Sequence, residues 1–390
     1  MHNNKLDSLR GIAAVMVTII HSFMFSYPNT INVITSSFLN LNKNIDFVIK
    51  LISIFFNAQI AVSIFFILSA LVLRSSLEKR YASFNFKLKN NHSNYYLKIV
   101  IEFLIKRIFR IFPALLFALI FTYFSNLLIN IYHNRLIFKN IKIKYLENFF
   151  LLNHNTLPVS WTLQIEFYII PFFLILFFIR KKFGYKFLII PIFLYLIVES
   201  IIEKEIILFF DIFPLHSIIA FITGMLIFEE KTKKIISKMS NNFIALSIAI
   251  LLVFGLFFIK FLHFTNLILC GLLIALIYHK NNFIFLENRF LIFIGKISYS
   301  YYILNYTILN FLYYIINSDQ RFLFHDFSLK YSISMNIIYV ICALVIGVVS
   351  FLITIPIAFF SNKFIEEPFI RCGKIICKRL MAQKIDSENN

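Results

Sequence analysis

The chain has 390 residues, of which 60% are hydrophobic, 51 are Phe and only 15% are charged. Globular usage is roughly 45–50% apolar and about 25% charged, so this composition excludes a soluble fold and a disordered chain. Four Cys exclude a disulfide scaffold, and the net charge of +19 is spread over short segments between apolar runs, where Lys and Arg set topology rather than bind nucleic acid.

An α-helix needs about 20 mainly apolar residues to cross ~30 Å of hydrocarbon. Ten such runs are predicted, approximately 9–27, 48–73, 111–132, 162–179, 186–202, 206–228, 243–262, 264–279, 297–316 and 336–360. The expected fold is all-α, a polytopic integral membrane protein with about ten transmembrane helices. The first run lacks a small-residue cleavage site and reads as a retained span. With the N-terminus inside, most of the 38 Lys and Arg fall on the cytoplasmic side, which predicts an N-in, C-in topology. The predicted loops of note are 74–110 inside and 133–161 outside. A single domain is expected over 1–380, with residues after 361 forming a basic amphipathic segment on the inner leaflet and 381–390 a short polar tail.

An ionisable side chain in hydrocarbon costs about 2.5–3.5 kcal/mol or more, so each one inside a span is a functional candidate. Arg10 and His21 are eleven residues apart, about three turns, so they share one helix face about 16 Å apart along the axis. Asp7 is placed to pair with Arg10 at the helix start. The same pattern also suits a topology anchor and a satisfied core histidine. Glu166 lies in SWTLQIEFY, at a depth comparable to that of His21, where a carboxylate could orient an imidazole and make it a general base. In that segment Ser160 is the expected helix cap, Trp161 suits the interface, and Pro171 frees the carbonyl of Phe167. Asp211, near Pro214 and His216, is either a second polar wall or a buried carboxyl in a kinked helix.

The segment KRIFRIFP sets Lys106, Arg107 and Arg110 just before the third span. Arg107 and Arg110, three apart, can grip one phosphate group, whether of a nucleotide-containing donor or of a lipid headgroup. The cysteines match no metal spacing, and no metal site is expected. No P-loop, GxSxG, GxGxxG or HExxH string occurs.

These residues together resemble a family. LDSLRGIAAVMVTIIH is similar to the opening helix of the membrane-bound acyltransferase-3 family, whose signature is a basic residue, ten others, then His. FFILSALVL resembles its second-span motif, KRIFRIFP its paired-arginine element, SWTLQIEFY its Trp–Glu segment, GKISYSYYIL its late Tyr-rich helix, and IEEPFIRCGK its usual ending. Ala70 stands where the family usually has Gly after Ser69, and Asn305 where many members have His. The resemblance implies an enzyme, an O-acetyltransferase of the bacterial cytoplasmic (inner) membrane. Its acetyl-CoA donor would be cytoplasmic, and its acceptor a hydroxyl of a cell-surface carbohydrate or lipid-linked glycan, such as O-antigen, capsule or exopolysaccharide. It further implies His21 as catalytic base or acyl relay with Arg10 as its partner, Lys106, Arg107 and Arg110 at the donor's phosphates, Glu166 in the active cavity, and Asp7, Ser69, Trp161, Asp211 and Asn305 around the substrates. The rival reading is a proton-coupled transporter or lipid-linked glycan flippase using His21, Glu166 and Asp211 as a relay. Against it, no paired short broken helices mark inverted repeats.

Overall fold

A computed structural model describes residues 3–26, 30–35, 44–85, 92–132, 141–201, 215–238, 263–280, 283–331 and 335–386. Among the described residues the structure is helical, with no strand. In chain order the helices are α1 (Asn4–Ser26), α2 (Thr30–Thr35), α3 (Asn44–Phe55), α4 (Ala58–Asn85), α5 (His92–Tyr132), α6 (Ile141–Phe149), α7 (Trp161–Tyr168), α8 (Ile170–Phe183) and α9 (Ile189–Ile201). They continue with α10 (Leu215–Ile227), α11 (Glu230–Lys238), α12 (His263–His279), α13 (Arg289–Tyr331), α14 (Met335–Ser361) and α15 (Glu367–Asp386).

Among the described residues, five stretches are long and apolar enough to cross a membrane: Asn4–Ser26, Asp46–Ala82, Tyr96–Tyr132, Pro158–Phe183 and Ile337–Leu380. Shorter apolar helices run over Tyr185–Tyr195, Ser217–Ile227 and Asn266–His279. The expected span at 297–316 lies within the 43-residue α13, and that at 243–262 falls outside the described residues. The long second run is divided, because Asn57 ends α3 and its side-chain oxygen caps α4 by accepting from the amide of Gln59 at 2.8 Å.

One expectation is corrected. Residues 74–110 are not a loop: apart from 86–91, which are not described, they belong to α4 and α5, and the buried Glu102 pairs with Arg80 across those helices and with Lys106 one turn along α5. Charge there marks the end of a span without ending the helix, because ion pairs between neighbouring helices satisfy it. The expected amphipathic segment after 361 is helical, running through a π-helical turn at Asn362–Glu366 into α15, which extends to Asp386. Helix α15 packs along α5, where a Cβ on Gly373 would lie 2.9 Å from the Cβ of Phe109.

Helix α1 is central, packed against α13, α14 and α4. Lipid gives helices no hydrophobic reason to associate, so close packing of small residues takes over. A Cβ on Gly295 of α13 would lie 1.8 Å from the carbonyl oxygen of Asp7, so only glycine lets α1 approach there. The same device joins α4 to α10 at Gly224, where a Cβ would lie 2.4 Å from the Ile67 carbonyl oxygen and 2.6 Å from the Cβ of Ala70.

Candidate active site

One face of α1 carries Arg10, Val17 and His21 at helical spacing, and a chain of cavities follows it. A vestibule at the Arg10 end is lined by Asp7, Arg10, Arg110, Lys296, Tyr299 and Glu366, among others. It shares Arg10, Arg110, Ser298 and Tyr299 with an arginine chamber of about 70 Å³, which also takes Ser69, Arg107 and Glu166. That chamber shares Phe66 and Tyr302 with a histidine chamber of about 150 Å³, lined by His21, Gln59, Trp161 and Asn266. His21 and Trp161 continue into a mouth with Met24, Phe25 and Tyr306. Cavities with shared walls thus lie between Arg10 and His21 along α1.

Within the arginine chamber, Glu166 Oε1 accepts from Ser69 Oγ at 2.5 Å and from Arg107 at 2.9 Å. The carboxylate is therefore committed to the arginine, and the expectation that it orients His21 is corrected. On α7 Glu166 faces α4 and α5, whereas Trp161, five residues earlier, reaches the histidine chamber. Arg10 pairs with Asp7 at 3.1 Å, as its spacing predicts. Arg107 is buried against Glu166, so it does not share a phosphate freely with Arg110. Among the described residues, Arg110 and Lys296 stand in no ion pair, which leaves them as the cations of the vestibule best placed to take an anion. Opposite them, Glu366 is buried by the π-helical turn and accepts from Asn362 at 2.9 Å and Ser300 at 3.2 Å.

The expected cap at Ser160 does not form. Its hydroxyl instead accepts from Asn148 Nδ2 at 2.8 Å, while Asn148 Oδ1 accepts from the amide of Leu157 at 2.9 Å. With Tyr168 donating to the Leu151 carbonyl at 2.7 Å, these bonds pin the 3₁₀ turn Pro158–Ser160 and thereby place Trp161 at the chamber. Pro171 stands in the first turn of α8, beyond the interruption at Ile169.

Two other expected residues lie elsewhere. Lys106 lines none of the cavities described above; it pairs with Glu102 at 2.5 Å, because one helical step from Arg107 turns it about 100° away. Asn305 is buried between α13 and α14, donating to Ser350 Oγ at 2.9 Å and Thr354 Oγ1 at 3.1 Å, and lines none of the cavities described above. Asp211 and Pro214 lie outside the described residues. Sequence reasoning missed Tyr299, Tyr302 and Tyr306, although their helical spacing in KISYSYYILNY marks one face. It also missed Asn266, Lys296 and Glu366, whose relevance depends on contacts between distant segments.

His21 contacts Tyr306 edge to face, with ring centroids 5.7 Å apart, and its Nδ1 is buried with no hydrogen-bond partner among the described residues. The site therefore offers a cationic end, a row of cavities with shared walls and an imidazole at its far end. No group of three or more His, Cys, Asp or Glu among the described residues is placed to hold a metal ion.

Comparison with protein families matches residues 3–355 to the acyltransferase-3 family, described as an acyltransferase domain. Comparison with curated proteins and with solved structures found no match.

Proposed function

The chain belongs to the acyltransferase-3 family and is a membrane acyltransferase, and on that premise we propose that it moves an acetyl group from cytoplasmic acetyl-CoA to a hydroxyl of a cell-surface carbohydrate. The observation that carries this reading is the line of cavities with shared walls from Arg110 and Arg10 to His21. Arg110 and Lys296 would hold the donor's phosphates by charge-assisted hydrogen bonds. The uncharged thioester arm would enter the arginine chamber and extend toward Tyr302. Asp7 and Glu166 would hold Arg10 and Arg107 in place, with Ser69 fixing the Glu166 carboxylate, so these act as positioning residues.

At the far end, a His imidazole is a suitable base for a hydroxyl near neutral pH. The acceptor hydroxyl gives its proton to His21 as its oxygen bonds to the thioester carbonyl carbon. The carbon–sulfur bond then breaks, and the departing thiolate takes the proton from the imidazolium. The protein would reside in the bacterial cytoplasmic membrane with both termini inside, so that donor and acceptor enter from opposite faces.

The test compares surface glycans, by mass spectrometry, from a deletion strain complemented with wild type or with His21→Ala. Wild type is expected to add acetyl-sized, mild-base-labile groups, and His21→Ala to lower their rate of addition about 10²- to 10⁴-fold. Full acetylation by His21→Ala removes that residue from the chemistry. Glycan or proton movement by reconstituted protein without acetyl-CoA favours the transporter reading instead.

A further inference from the structure

Two buried polar atoms on the wall of the histidine chamber lack a hydrogen-bond partner among the described residues: His21 Nδ1 and Asn266 Oδ1. They come from α1 and α12, helices far apart in sequence, and meet around one space. Burying a polar group unpaired costs about 1–3 kcal/mol, so such atoms are expected to find a partner in the working state. The neighbouring polar groups do not supply one. Ser63 Oγ is spent on the Gln59 carbonyl at 2.8 Å, and Tyr302 hydroxyl is engaged by Thr162. An amide oxygen only accepts, so its ligand must present a donor.

We propose that Asn266 is an acceptor-positioning residue: its Oδ1 accepts from an acceptor hydroxyl other than the one that reacts at His21, so the chamber selects acceptors carrying a second hydroxyl near the first. This rests on the acetyl-transfer reading and names the substrate feature that the outer half of the site recognises. Asn266 takes no proton in the reaction. It fixes the sugar so that the reacting oxygen, and not its neighbour, faces the thioester carbon. A site built to pair a hydroxyl also rejects analogues lacking it, because its own polar group is then left buried and unpaired.

The test uses full-length protein in membranes, labelled acetyl-CoA, and unacetylated surface glycan from the deletion strain at varied concentration. Asn266→Leu keeps the branched side-chain shape and removes the oxygen, whereas Asn266→Asp keeps an accepting oxygen at the same place. The expected result is at least a tenfold rise in KM for the glycan in Asn266→Leu, with a smaller fall in kcat, and substantial recovery in Asn266→Asp. Wild-type KM in Asn266→Leu overturns the inference. So does equal impairment of both variants with lowered Tm, the signature of a purely structural role. If wild-type protein incorporates no label, the acetyl-transfer reading fails and the inference falls with it; label incorporation that ignores Asn266 sinks the inference alone.

Discussion

Arg110 lines cavities, whereas Asn305 is spent on bonds between two helices. Arg110 faces two cavities without an ion-pair partner among the described residues. Removing it takes away charge-assisted bonds worth about 1.5–3 kcal/mol each, so Arg110→Ala is expected to raise the KM for acetyl-CoA roughly tenfold to a hundredfold while leaving Tm near wild type. Titration of donor concentration in membranes checks this. Asn305 behaves oppositely. Its amide ties α13 to α14 through Ser350 and Thr354, so Asn305→Ala is expected to lower Tm while leaving both substrate KM values unchanged. A selective rise in acceptor KM would return Asn305 to the substrate path. The Arg10–Asp7 pair and the shared face of Arg10 and His21 were legible in the sequence, since both follow from helical geometry alone. The partner of Glu166 was not, because Arg107 stands 59 residues away on another helix and spacing carries no information about it.

Between helices, small residues decide how close two axes come. Ala70 and Gly224 form such a contact, and the Cβ of Ala70 occupies the room that glycine leaves on α10. Gly224→Ala is expected to force α4 and α10 apart, costing about 1–3 kcal/mol as overpacking does, read as a lower Tm in detergent. Ala70→Gly is not expected to rescue it, because the Ile67 carbonyl oxygen would still lie 2.4 Å from the new methyl carbon and backbone cannot rotate away. Full rescue would mean that the side-chain contact alone sets the spacing. Apolar runs announced where helices lie, but not where they stop: the basic residues that suggested a loop at 74–110 are matched by Glu102 within continuous helices.

Across the molecule, an ion-pair network binds α4, α8 and the turn after α10. Glu229 takes both outer nitrogens of that network, Arg180 at 2.7 Å and the fully buried Arg74 at 2.9 Å, while Glu78 pairs with Arg180 and Lys181. Burial opposes ionisation of Glu229, but the hydrogen bonds and charge of Arg180 and Arg74 outweigh it and hold the carboxyl below its usual value. A depressed folded-state value means that the stabilisation is complete above the unfolded carboxylate range, about pH 4.3, and is lost as pH falls through the lower folded value. The Tm advantage of wild type over Glu229→Gln should therefore hold at pH 6–8 and shrink on acidification below about pH 4; an advantage constant down to pH 3 would show that the charge does not matter. What the sequence determined by itself was membrane residence, the helical class and the stripe joining Arg10 to His21, since composition and a 3.6-residue period are properties of a single segment. Only the tertiary structure decided which arginine stands outside the ion pairs among the described residues, that Lys106 and Asn305 line none of the cavities described, and that Asn266 meets His21 across a chamber. Each of those depends on which faces of separate helices are pressed together, and that is set by packing of the whole bundle rather than by any one run of residues.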